Sequence, residues 1–82
     1  MNIYELTVRA MCPIHAELID VYAVTIRTPA TIHVEAILGW FEKYATKQIF
    51  QEDLTKESAV HLGAEVQTVG RHAGVKVTCV AP

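Results

Sequence analysis

Between Ile3 and Ala10 apolar and polar side chains alternate without a break, with Tyr4, Leu6, Val8 and Ala10 on one side and Glu5, Thr7 and Arg9 on the other. A period of two sends successive side chains to opposite faces of an extended chain, so this stretch reads as a strand with one face buried and one open. The pattern returns from about Asp20 to Thr28, where Tyr22, Val24 and Ile26 alternate with Ala23, Thr25 and Arg27. Pro29 closes that second strand, having no N–H to give to a ladder. The connection between them, Met11 to Ile19, is longer than a tight hairpin needs. Such a loop is the first place to look for chemistry.

Past Pro29 the spacing changes. Val34, Ile37, Leu38, Phe41 and Tyr44 or Ala45 recur every three or four residues, the signature of a helix with one buried stripe, and Trp40 broadens that stripe. A second helix is expected to begin near Gln51 to Asp53, where acidic side chains suit a helix N-terminus, and to end at Gly63. Its apolar face, Leu54, Ala59 and Leu62, is modest. Two more strands are expected over Ala64 to Val69 and Val75 to Ala81, joined by the reversal Gly70-Arg71-His72-Ala73-Gly74. The order is strand, strand, helix, helix, strand, strand, an α+β arrangement: a four-stranded antiparallel sheet with two helices on one face, in a single domain spanning 1–82. The uncovered face must meet something. In an oligomer, sheets can join edge to edge into a barrel with the helices outside, which also removes exposed strand edges.

Composition agrees with assembly. The chain has 82 residues, and a domain of that size hides only about 60% of the surface its unfolded chain exposes. With 51% hydrophobic and 20% charged residues it carries more apolar surface than a small domain can bury alone, so homo-oligomer interfaces are expected. A net charge of −2, with its seven Lys and Arg scattered, gives no field for a phosphate backbone, and direct nucleic-acid binding is not expected. No apolar run reaches the roughly 18 residues of a membrane span. The first residues, Met1-Asn2-Ile3-Tyr4-Glu5, lack the basic and hydrophobic regions of a secretory signal, and the expected location is the cytoplasm. Cys12 and Cys79 are too few for a disulfide framework and fit free thiols in a reducing compartment.

Met11-Cys12-Pro13-Ile14-His15 is the strongest local signal, because a thiol beside a proline-stiffened loop between strands is placed for access. The same cysteine reads equally as a buried structural residue. Asp20, just past that loop, is placed to exchange a proton near Cys12, or else serves turn chemistry. Glu52 in Gln51-Glu52-Asp53 offers a carboxylate that can accept two neighbouring ring N–H groups, the donor pattern of guanine and pterin, although capping is the simpler role. Cys12 and His15 also have Cys-x-x-His spacing, and Cys79 or His72 would complete a three-ligand zinc site with an open position. Arg71 and His72 are placed to touch an anionic group, or to remain in a solvated turn. His33 and His61 read as polar surface.

Taken together these pieces resemble the tunnelling-fold superfamily, and within it the 7-cyano-7-deazaguanine (nitrile) reductase family and its archaeal amidinotransferase relatives. Cys12-Pro13-Ile14 is similar to that family's Cys-Pro-Val loop, and Asp20-Val21-Tyr22-Ala23-Val24-Thr25-Ile26 to the strand that opens with its catalytic aspartate. Glu52 after Phe50-Gln51 matches its ring-binding glutamate, and Val69-Gly70 through Gly74-Val75-Lys76-Val77 its closing hairpin. The resemblance implies that Cys12 attacks a nitrile as a thiolate to form a covalent thioimide. It further implies that Asp20 protonates the nitrogen and that Glu52, helped by His15 and His72, binds a 7-deazaguanine or pterin-like ring. His15 is the group expected to favour the thiolate. The implied setting is a queuosine- or archaeosine-type route of tRNA modification. Two departures stand out. One more residue separates Cys12 from Asp20 than in the reductases, and the reductase's lysine-bearing NADPH segment is replaced by Val34-Glu35-Ala36-Ile37-Leu38-Gly39-Trp40.

A second resemblance is to the GTP cyclohydrolase I family. Gln51-Glu52-Asp53-Leu54-Thr55-Lys56 is similar to its Gln-Glu-Arg-Leu-Thr-Lys stretch and Met11-Cys12-Pro13-Ile14-His15 to its Met-Cys-Glu-His-His zinc loop. It implies a zinc-dependent hydrolase of a purine nucleotide, with Cys12, His15 and Cys79 as ligands. A third reading keeps the ring pocket without chemistry, as a binding or assembly module.

Overall fold

The computed structural model describes every residue except Ala16. Two ten-residue strands, β1 (Asn2–Met11) and β2 (Ile19–Thr28), pair antiparallel in one register along their whole length. Tyr4 stands opposite Ile26, Leu6 opposite Val24 and Val8 opposite Tyr22, so the two apolar sets expected from the alternation share a face. Helix α1 (Val34–Glu42) tightens into a 3-10 turn over Lys43–Thr46, and α2 (Gln51–Leu62) follows. Strands β3 (Glu65–His72) and β4 (Val75–Ala81) complete a sheet of order β1-β2-β3-β4, antiparallel throughout. The core lies between the sheet, through Val8, Ala10, Tyr22, Val24, Ile26 and Val66, and the helical layer, through Ile37, Phe41, Tyr44, Ile49, Leu54 and Ala59. The expected α+β arrangement is the one found. Among the described residues no helix is long and apolar enough to cross a membrane.

Three local expectations change. Ile37, Phe41 and Tyr44 face the core, but Val34 and Leu38 of the same stripe are 56% and 53% exposed. They border a groove with Ile3 and Leu6 of β1, one of the sheet's two outer strands, which offers them a bed on one side only. The face that α2 turns to the sheet is largely polar: Gln51, Thr55 and Ser58 are buried beside Leu54 and Ala59. Their hydrogen bonds are met, since the Thr55 hydroxyl lies 2.7 Å from both the Gln51 carbonyl and Thr68 Oγ1. Among the described residues no buried side-chain nitrogen or oxygen lacks a partner.

The final hairpin is tighter than expected. Strand β3 continues through Gly70 and Arg71 to His72, and the reversal is only Ala73-Gly74, with φ of 51° and 83°. Positive φ at both positions is the two-residue turn that matches strand twist. Gly70 is therefore a strand residue, and its reason is space: a Cβ there would come within 2.5 Å of Tyr22 Cδ1.

Trp40 ties the helices to one another. Its indole N–H donates to Ser58 Oγ at 2.9 Å, the His61 ring stacks on it at 3.8 Å, and the Lys43 ammonium sits 3.3 Å from its centroid.

Candidate functional site

The end of β1 and the start of α2 are 40 residues apart in sequence from Cys12 to Glu52 and are joined by backbone. Met11 pairs in parallel with Gln48: its N–H donates to the Lys47 carbonyl at 3.1 Å, and its own carbonyl accepts from Ile49 N–H at 3.3 Å. The Gln48 side chain adds a 3.4 Å bond to the Cys12 carbonyl. These contacts bring the first turn of α2 against the loop that leaves β1. The loop is closed by Cys12 N–H to the Leu18 carbonyl and Leu18 N–H to the His15 carbonyl, at 3.0 and 2.9 Å.

Between loop, helix start and β3 end lies a cavity of about 220 Å³, lined by Cys12, Pro13, Ile14, Tyr22, Phe50, Gln51, Glu52 and His72. Cys12, Glu52 and His72, singled out from sequence, thus meet in one place. Glu52 is not the helix cap. The capping position is Phe50, which makes no side-chain cap bond, and the Glu52 side chain is exposed on the cavity side.

Asp20 stands beside this cavity rather than in its lining. Its side chain is 14% exposed, Oδ2 accepts the Tyr22 hydroxyl at 3.2 Å, and Oδ1 lies 3.9 Å from His72 Nδ1. It also borders a shallower depression on the open face of the sheet, with Arg71 and Lys76. Burial pushes the Tyr22 phenol well above the ordinary tyrosine value, and the Asp20, Cys12 and Glu52 charges add to that push. Tyr22 therefore stays a protonated donor aimed at Asp20.

His15 departs from expectation. Its imidazole lies 3.9 Å from the Glu17 carboxylate, both largely exposed, and it is the His15 backbone N–H that points at Cys12 Sγ, 3.5 Å away. Cys79 sits on β4 opposite Thr68, its thiol raised above the usual value by burial and then by the Glu52 charge. Among the described residues no three His, Cys, Asp or Glu side chains are grouped to hold a metal ion, and Cys12, His15 and Cys79 are not brought together as a ligand set.

Two participants carried weaker signals. Tyr22 read only as one member of the alternation, although the same period puts its hydroxyl on the face of Asp20 two residues earlier. Gln51 read as part of a helix start, and its partners in β3 and β4 are 17 to 26 residues away.

No family model matches the chain, and no curated protein sequence matches it. A crystal structure described as the archaeosine synthase QueF-Like in the apo form superposes with a TM-score of 0.82, over 98% of this chain and 89% of that one, at 19% sequence identity. The likeness is one of fold: four antiparallel strands carrying two helices, in the tunnelling-fold arrangement.

Proposed function

We propose that the chain binds a 7-deazaguanine-type ring in the cavity at the start of α2 and forms a covalent thioimide between Cys12 and a nitrile on that ring, as an enzyme of a queuosine- or archaeosine-type pathway. The observation that carries this reading is the meeting of Cys12 and Glu52 in one cavity with Tyr22 and His72. The thiol is the nucleophile, and the Glu52 carboxylate accepts the two adjacent N–H groups of a 2-amino-pyrimidinone edge. The structural likeness to an archaeosine synthase supports the substrate class. In the reaction the sulfur–carbon bond forms, the C≡N bond becomes C=N, and nitrogen gains the proton that the thiol gave up, with Asp20 serving that exchange. The segment Val34 to Trp40 has no lysine, so the proposal stops at the adduct and assigns no hydride donor.

The cavity favours assembly as part of the same reading. Small-molecule pockets commonly enclose ~300–1,000 Å³. At about 220 Å³ this one holds a flat ring but offers few walls, and a neighbouring copy joined through the strand edges supplies the rest.

The test is to mix the purified chain with 7-cyano-7-deazaguanine, without a reductant, and follow difference absorbance and intact mass. The expected result is an adduct of one ligand per chain that Cys12→Ala abolishes while Glu52→Gln weakens binding. No adduct and no binding would sink the reading.

A further inference from the structure

Gln51 is 2% exposed, and the two hydrogens of its amide nitrogen are shared among three acceptors, the Thr68 carbonyl at 3.2 Å, Thr68 Oγ1 at 3.0 Å and the Val77 carbonyl at 3.1 Å. Two of these acceptors are main-chain carbonyls, which can only accept, so the NH₂ end of the amide is fixed by its surroundings. Gln51 Oε1 is then the atom that faces His72 Nε2, at 2.9 Å. An amide oxygen also only accepts, so Nε2 must carry the hydrogen. In a neutral imidazole that leaves Nδ1 bare, and Nδ1 is the atom turned to Asp20 Oδ1 at 3.9 Å.

In that state two lone pairs face one another with no hydrogen between them. A proton placed on Nδ1 turns that repulsion into attraction between a charged ring and the carboxylate, an ion pair at 3.9 Å rather than a hydrogen bond. The second oxygen of Asp20 is already occupied by the Tyr22 hydroxyl, which leaves Oδ1 for His72. The groups around the ring are Asp20 and Tyr22 from β2, Gln51 and Glu52 from α2, and Cys12 from the loop. His72, not Asp20, is the member of the pair that lines the cavity.

We infer that buried Gln51 is the positioning residue that fixes His72 as the Nε2–H tautomer, that the bare Nδ1 backed by the Asp20 carboxylate is the proton-accepting atom of the pair, and that the pair carries the proton of the Cys12 reaction. This rests on the reading of Cys12 as nucleophile. As sulfur attacks the nitrile carbon the pair takes the thiol proton, the π electron pair moves to nitrogen, and the pair returns the proton there. Nothing is oxidised or reduced, and no further reactant enters.

The experiment has two arms. In the first, long-range ¹H–¹⁵N spectra of histidine-labelled full chain are recorded without ligand, with the His72 signals identified by their loss in His72→Ala. The expected pattern is a hydrogen on Nε2, with Nδ1 protonated only when the ring is charged, and a shift towards the Nδ1–H form in Gln51→Leu. A neutral Nδ1–H ring in the unmodified chain overturns the inference, as does an unchanged pattern in a folded Gln51→Leu. Should that variant not fold, the unmodified chain decides alone. In the second arm, the rate of adduct formation with 7-cyano-7-deazaguanine is expected to drop about 10²-fold in His72→Ala and to recover partly with added imidazole, a response that loss of packing would not give. An unchanged rate, or a slow one that imidazole does not restore, removes the relay and leaves Cys12 as nucleophile. Absence of any adduct in the unmodified chain overturns the proposed reaction and the relay role with it, while the first arm still reads the tautomer.

Discussion

Tyr44 is fully buried, and its hydroxyl donates to Glu57 Oε1 at 2.7 Å, with the Lys47 ammonium 3.4 Å from the same oxygen. The tyrosine hydrogen bond is the main reason the Glu57 carboxyl is held below its ordinary value of 4.5, helped by Lys47 and Lys43 and opposed by partial burial. A carboxyl lowered in the folded state contributes stability above its unfolded value, and that contribution is lost as pH falls through the folded one. Denaturant unfolding should therefore show stability dropping on the acid side of pH 4.5, with Glu57→Gln removing part of that slope. The part is small, because the Glu57 side chain is 39% exposed and solvent screens it. The Tyr22 and Tyr44 phenols have the opposite sign. Both are raised, chiefly by burial, so their contribution is present below the ordinary tyrosine value of 10.0 and fades above it. At this scale the sequence singled out Cys12, Glu52 and His72 by residue type and neighbours, and the fold brings the three to one cavity. It did not show that Gln51 governs His72, because that pairing depends on the seating of α2 against β3.

Gly70 shows how one element sets another. Tyr22 lies flat where a side chain on β3 would otherwise stand, which keeps its hydroxyl on Asp20 and its ring 6.0 Å from that of His72. Gly70→Ala should force the Tyr22 ring aside at a cost of about 1–3 kcal/mol in unfolding free energy, the usual range for overpacking a closed site. The accompanying loss of the Tyr22–Asp20 bond would appear as a changed tyrosine environment in near-ultraviolet circular dichroism, and an unaltered spectrum and stability would contradict this role. Strand and helix identities were legible, since period two and the three-four spacing survive in β1, β2 and the core-facing part of α1. The α2 terminus at Gly63, with φ of 61°, was legible for the same local reason. The Gly70 to Gly74 reversal was not, because a glycine kept for the space a ring needs looks the same in sequence as one kept for a turn. The polar face of α2 misled in the same way, as its partners Thr68 and Val77 belong to strands that come later in the chain.

Across the molecule, the sheet face away from the helices exposes Ile3, Ile19, Val21 and Val80, and both outer strands, β1 and β4, have an edge without a strand neighbour among the described residues. An apolar face and two strand edges on a chain of 82 residues lead us to expect self-association through them. Native mass spectrometry and light scattering at micromolar concentration should find a closed homo-oligomer, and Val21→Glu should shift it towards monomer without altering the secondary structure. A monomer at all concentrations would contradict the assembly. The helical layer lies on the other side of the sheet from that face. There the chain's one tryptophan sits between the His61 ring and the Lys43 ammonium. Glu52 and His61 are nine residues apart on α2, about 14 Å along the helix axis. Indole emission is therefore an internal optical gauge of the α1–α2 contact, quenched while the stack is closed and released when it opens, and it can be watched while the cavity at the other end of α2 is filled or mutated.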